Sequence, residues 1–181
     1  MNIKFALFAT VVLVLVSIVS AQYAPATTPL TPLIANLTLT IRLGNVFCLF
    51  LPDGPGGTIA QGLSSAIAYC TCKPSFPFAS HMILPEGFIR SVHYYEHPTK
   101  YYVQVTGRFD RSKFGFPRSD PGGQIDPSVR ALSNCYGYKY YVQLTEPDTE
   151  EYCLRCCYRP EDCPTNKATK GCRAALPGKY D

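Results

Sequence analysis

The chain has no tryptophan, only three histidines and few charged residues, 17 % of its 181 positions. Any aromatic surface must therefore be built from its thirteen tyrosines and ten phenylalanines. With histidine so scarce, few general-base or imidazole-metal arrangements are open. The formal charge of +4, or +3 once Lys4 is removed with a leader, is too mild to call for a nucleic-acid partner or a charged membrane surface. There is no Gly-x-Ser-x-Gly elbow and no His-Glu-x-x-His zinc motif. After the first apolar run no segment is apolar enough to span a bilayer. The last residues, Leu176 to Asp181, form neither a hydrophobic anchor tail nor a retention signal.

What is present begins with a secretion signal. Lys4 supplies the positive n-region, Phe5 to Val16 the apolar core, and Val19-Ser20-Ala21 the small cleavage residues, so residues 1–21 are expected to be removed after Ala21. Residues 22–35 form a Pro/Thr-rich leader, stiffened by prolines that donate no backbone hydrogen bond. Residues 36–181 then make one cysteine-rich domain. The localisation expected is secreted and extracellular. The sequon Asn36-Leu-Thr38 makes Asn36 the candidate N-glycosylation site.

Nine cysteines in a secreted chain read as disulfides with one thiol left over. Spacing does not give the connectivity. The rival reading is zinc, with Cys153 and Cys156 at ligand spacing and Cys163 and Cys172 completing four thiolates. No cofactor is called for.

Periodicity speaks for strands. Leu37, Leu39, Ile41 and Leu43 alternate with Thr38, Thr40 and Arg42, and Val46 to Leu51 is a second apolar run closed by a Gly/Pro-rich turn. Residues 59–69 are the helix candidate. Phe88 to Tyr95 and Tyr101 to Phe109 read as a hairpin. The segment Lys100-Tyr-Tyr-Val-Gln-Val-Thr106 recurs as Lys139-Tyr-Tyr-Val-Gln-Leu-Thr145. Alternation places Tyr101, Val103, Val105, Tyr140, Val142 and Leu144 inward and Gln104, Thr106, Gln143 and Thr145 outward. The echo is either a duplicated binding strand or two strands meeting one packing demand. In a strand over Glu150 to Tyr158, adjacent Cys156 and Cys157 point to opposite faces and must find different partners. The fold class expected is β-rich, with α+β as the variant: a small single disulfide-stapled domain with one short helix.

The segments Gly107-Arg-Phe-Asp-Arg-Ser-Lys113, Gly122-Gly-Gln124, Cys135-Tyr-Gly-Tyr-Lys139, Cys153-x-Arg-Cys-Cys157, Asp162-Cys-Pro-Thr165 and Thr169-Lys-Gly-Cys172 resemble a group of small secreted cysteine-rich proteins of fungi. The similarity runs from about Phe47 to Tyr180. It implies origin and compartment rather than chemistry. It also implies that Cys48, Cys70, Cys135, Cys153, Cys156, Cys157, Cys163 and Cys172 form the disulfides, because cysteines like these eight recur in the group. Nothing there corresponds to Cys72, which makes Cys72 the candidate free thiol.

Catalysis is not expected. His93 and His97, four residues apart along a strand, would lie about 13 Å apart if extended, too far to share a proton or a metal. A guanyl-specific ribonuclease would need a further histidine downstream, and none follows His97. Asp110, Asp120 and Asp126 could serve a hydrolase, but Asp120-Pro-Gly-Gly is explained as a turn. The candidate contact surface is the loop from Arg108 to Arg118, in which Arg108, Arg111 and Lys113 with Phe114 and Phe116 could grip an anionic polymer while stacking on sugar. The competing reading puts its phenylalanines in the core. A second basic group, Arg155, Arg159, Lys167, Lys170 and Arg173, reads as a solvated face.

The function expected is a non-catalytic secreted fungal protein with an effector-like role at a host interface. The alternatives are a cell-wall or carbohydrate-binding protein and, third, a small extracellular hydrolase or nuclease. The partner expected is a host protein or a cell-wall polysaccharide.

Overall fold

The computed structural model describes residues 36–73 and 82–181, and the expectations for the signal peptide, the leader and His81 lie outside them. The described chain is β-rich. Eleven strands form three sheets, with only two four-residue α-helices beside them.

The largest sheet has five antiparallel strands in the order β6 (His93–Glu96), β7 (Tyr102–Arg108), β11 (Glu151–Cys157), β10 (Tyr140–Glu146) and β8 (Gly123–Ile125). A four-stranded sheet runs β2 (Ile41–Leu43), β3 (Val46–Leu51), β4 (Ile67–Cys70), β5 (Met82–Ile83). A short parallel pair joins β1 (Thr38–Leu39) to β9 (Asn134–Cys135).

Two cores result. The larger one holds Phe47, Leu49 and Leu51 together with Val103, Val105, Tyr141, Tyr152 and Leu154. The smaller one lies on the opposite face of the five-stranded sheet, where Val142, Leu144, Cys153 and Tyr102 meet Ala175, Leu176 and Tyr180 of the C-terminal segment. Both faces of the sheet are therefore covered. That overturns the outward placement of Gln104, Thr106, Gln143 and Thr145, all of which are buried. Tyr101 and Tyr140, expected inside, are exposed.

The register explains the repeated segment. Cys157 of β11 pairs with Tyr102 on one side and with Tyr140 on the other. The two copies are thus out of step by one residue, and a one-residue slip turns every side chain to the other face. Val103 and Val105 enter the larger core, while Val142 and Leu144 enter the smaller one. One short sequence serves two opposite surfaces, because a two-sided core needs apolar and hydrogen-bonding residues on both.

Two other expectations are corrected. The helix expected over 59–69 is only α1, Ile59–Gly62, capped by Thr58 with Gln61 in a capping box. Ile67 to Cys70 instead pairs with β3, where Cys48 and Cys70 lie directly opposite and are bonded. The single strand expected over 37–43 is split into β1 and β2, and Leu43 ends exposed. The alternating threonines, Thr38 and Thr40, are buried with their neighbours.

The remaining bridges are Cys135–Cys156, Cys153–Cys172 and Cys157–Cys163, and Cys72 is an exposed free thiol. Cys156 and Cys157 do face opposite cores and bridge to different partners. The four cysteines of the zinc alternative are spread over three disulfides. The bridge Cys153–Cys172 fixes α2 (Cys172–Ala175) and with it the segment that closes the smaller core.

Gly107 marks the closest backbone approach in β7. A Cβ there would sit 2.0 Å from the Ser91 carbonyl oxygen and 3.0 Å from the Tyr152 hydroxyl. The obstacle is backbone, which cannot rotate away. Gly107→Ala is expected to cost at least ~3 kcal/mol by overpacking. In thermal unfolding that corresponds to a Tm lower by roughly 10 °C.

Candidate functional site

The loop from Arg108 to Arg118 is not an open gripping surface. Phe109, Phe114 and Phe116 are buried; Phe114 and Phe116 stack on each other at 4.9 Å, and Phe109 stacks on Phe88 at the same distance. As candidate ligand contacts Phe114 and Phe116 are therefore corrected, since neither ring reaches solvent. Their apolar area is worth more in the core than a wet loop could recover. Arg108 donates to the Asp181 carboxylate at 3.0 Å and to the Thr149 carbonyl, and Arg111 pairs with Glu150 at 3.2 Å. Lys113 is exposed.

The loop is shaped by Asp110, whose carboxylate caps a short 3-10 turn at Arg111–Lys113. Hydrogen bonds from Ser112 and from Arg90 hold its carboxyl at about 2. The remaining carboxylates of the hydrolase alternative have similar employment. Asp120 accepts from the backbone of Ile59 and of Gly122, one oxygen each. Asp126 accepts from Ser128 and from the Gln124 amide. His93 Nε2 lies 2.9 Å from the Asp181 carbonyl, and His97 Nδ1 accepts from the backbone of Thr99 and Lys100. These groups organise turns and do not converge on a common point.

The second basic group is also corrected in part. Arg155 is half-buried, bonded to Gln104 and the Asp162 carbonyl, and lies over the Tyr102 ring at 4.1 Å. Burial lowers its pKa from the ordinary arginine value. Arg173 pairs with Glu151 at 2.7 Å. Arg155 thus belongs to the packing of the C-terminal segment, while Arg173 stays exposed on the expected solvated face.

A groove of about 570 Å³ runs beside that segment, with Gln104, Thr106, His93 and Tyr95 on one side and Pro177 to Lys179 on the other. Its polar floor is already spent: Gln104 donates to the Pro177 carbonyl and Thr106 to the Lys179 carbonyl. A ligand would have to displace these bonds.

The surface that remains uncommitted is one end of the five-stranded sheet, where β7 and β10 begin and β11 ends. Tyr101 is 66 % exposed and Tyr158 49 %. Their rings meet edge to face at 6.4 Å, and Tyr138 lies 5.1 Å from Tyr158 on its other side. Tyr94, on β6, is half-buried against the larger core and donates its hydroxyl to Glu96. Burial and this bond push the Tyr94 hydroxyl up to about 12, and burial with the charge of Glu96 raises Tyr138. Both stay neutral donors and acceptors at any physiological pH. Among the described residues, the hydroxyls of Tyr101, Tyr138 and Tyr158 bond to no other group.

Tyr101 is also strained. Its φ is +52°, a region that bulky residues rarely adopt. It closes the loop between β6 and β7, where His97 N–H donates to the Tyr102 carbonyl. Of the other strained side chains, Glu150 is held by ion pairs to Arg90 and Arg111. Leu132 is 88 % exposed at φ +64°, and nothing in the structure explains it. The sequence reading credited the tyrosines only in general terms. Their juxtaposition comes from three separate loops, and the one local signal is a tyrosine beside each turn.

Comparison with known proteins places the chain at a distance from two of them. It is 29 % identical over 154 residues to Appressorium protein ROW1 of Mycosarcoma maydis and 28 % identical over 152 residues to Appressorium protein ROW2 of the same fungus. Each match covers 75 % of this chain. The matched part spans 35 % of the first relative and 51 % of the second, so the chain accounts for about a third to a half of their length. No family model matches the chain, and no solved structure matches it. The chain is thus similar, distantly, to fungal appressorium proteins.

Proposed function

We propose that this protein is a secreted, non-catalytic fungal protein that acts at the interface with a host. The observation that carries the reading is the similarity, over three quarters of the chain, to two proteins named for the appressorium, the structure with which a fungus enters its host. Four disulfides support an oxidising compartment. Cleavage after Ala21 and glycosylation of Asn36 belong to the same reading. A non-catalytic role is supported by Asp110, Asp120, Asp126 and His97, which hold turns and caps, and by His93, which lies against the Asp181 backbone. The test is deletion of the gene. The deletion strain is expected to grow normally in culture and to colonise its host poorly, while the wild-type protein collects in the culture filtrate. Undiminished colonisation would reject the host role.

A second reading, wall or carbohydrate binding, is favoured by one observation of its own. Two exposed tyrosines, Tyr101 and Tyr158, meet the half-buried Tyr138 at one end of the sheet.

A further inference from the structure

We infer that the row Tyr138, Tyr158 and Tyr101 is a binding platform for an uncharged, β-linked polysaccharide chain; the inference rests on the wall-binding reading. Several independent observations lead to it.

The first is backbone strain with little local return. Tyr101 sits at φ +52°, where glycine or asparagine would be at ease, and two thirds of its surface stays in water. An exposed side chain gains little from burial, so within the free protein the return for tyrosine at this position is its edge-to-face contact with Tyr158. Its ring does complete a row with Tyr158 and Tyr138, at centroid spacings of 6.4 and 5.1 Å. Strain that presents a ring beside two others is accounted for by an external partner.

The shape of the row indicates the kind of partner. Successive rings stand at 87° and 58° to one another, so a chain laid along them meets ring faces and ring edges in turn, at spacings of 6.4 and 5.1 Å. An extended polymer with a repeating flat apolar face fits such a row. Pyranose rings in β-linkage present that face, with hydroxyls at the margin. Tyrosine is suited to them because it offers a rigid apolar ring with a polar tip. The hydroxyls of Tyr101, Tyr138 and Tyr158 have no partner among the described residues, and Tyr138 stays un-ionised.

Charge balance narrows the class. Lys100, Lys139 and Arg159 each adjoin one of the tyrosines in sequence, and Lys100 pairs with Asp162 at 3.7 Å. Against them stand Glu96, Glu161 and Asp162. With Arg155, bonded to the Asp162 carbonyl beside them, this end carries charges of both signs and no large excess of either. An acidic polymer such as polygalacturonate gains little from it, whereas a neutral glycan loses nothing.

The experiment is co-sedimentation of the oxidised mature protein with insoluble β-1,3-glucan, cellulose and chitin, with polygalacturonate as the acidic comparison. The wild type should bind at least one neutral polymer saturably, with competition by its soluble hexasaccharide and little effect of 0.5 M salt. Tyr101→Ala/Tyr158→Ala should bind at least 10-fold more weakly with an unchanged Tm. Tyr101→Gly separates binding from folding: it relieves the strained φ, so its Tm should be equal or higher while its binding falls as in Tyr101→Ala. Absence of saturable binding to all three neutral polymers would overturn the inference. So would full binding by the double variant, or a salt-sensitive preference for polygalacturonate. If the inference falls in any of these ways while the deletion strain still fails to colonise, the platform's ligand has been misassigned and the host role stands.

Discussion

Gln143→Leu should be among the most damaging single substitutions in this protein, lowering the stability by about 4 kcal/mol although it replaces a polar residue by an apolar one in a buried site. The Gln143 side chain crosses from the five-stranded sheet to the four-stranded one and pairs with the backbone of Phe50. Its Oε1 accepts from Phe50 N–H at 2.8 Å and its Nε2 donates to Phe50 C=O at 2.7 Å. A further bond, 2.9 Å, runs to Thr145 Oγ1. Both Gln143 and Phe50 have no exposed surface. Leucine leaves a buried N–H and a buried C=O without partners, at ~1–3 kcal/mol each, and no water can reach them. Gln143→Glu would fail in a different way, since a carboxylate cannot donate to the Phe50 carbonyl and would be buried as a charge. Gln104, the same residue of the other repeat, bonds Arg155 and the Pro177 carbonyl of the C-terminal segment. Gln104→Leu should therefore cost less, about 1–2 kcal/mol. Urea unfolding of the three variants measures the ranking, and equal costs for the two glutamines would contradict the clasp described.

The second large effect is expected from the bridge between Cys153 and Cys172. Replacing both by alanine releases a loop of sequence separation 19, worth about 3 kcal/mol in the chain-entropy account. The bridge also pins Leu176 and Tyr180 over Val142 and Leu144, so the smaller core loosens with it. Limited proteolysis should then cut the C-terminal segment before any other described part. The same double substitution at Cys157 and Cys163, six residues apart, should cost only about 2 kcal/mol. A C-terminal segment that resisted protease without Cys153–Cys172 would show that its own contacts suffice to hold it.

Much of this architecture was legible residue by residue. The edge hairpin of β6 and β7 (though β6 is His93–Glu96 where 88–95 was expected), the opposite facing of Cys156 and Cys157, and the predominance of sheet all follow from period-two patterns and turn residues. The burial of Gln143 and Gln104 was not, because alternation assumes one wet face, whereas the four-stranded sheet covers Gln143 and the C-terminal segment covers Gln104. Nor was the conversion of Ile67 to Cys70 from helix to strand, since pairing with β3 is a contact across some twenty residues. For the site, the sequence pointed to Phe114 and Phe116, which lie in a cation-rich loop. It could not show that Phe88 and Tyr69 pack against them. The tyrosine row escaped for the same reason, as Tyr101, Tyr138 and Tyr158 are brought together only when β7, β10 and β11 align.

The measurement that bears most directly on the account is complementation of the deletion strain with the wild-type gene and with Tyr101→Ala/Tyr158→Ala, both matched for the amount of protein in the culture filtrate. The account predicts that the wild type restores colonisation and that the tyrosine variant, secreted and folded to the same degree, does not. Full restoration by the variant would contradict it, because the tyrosine end would then be no part of what the protein does at the host.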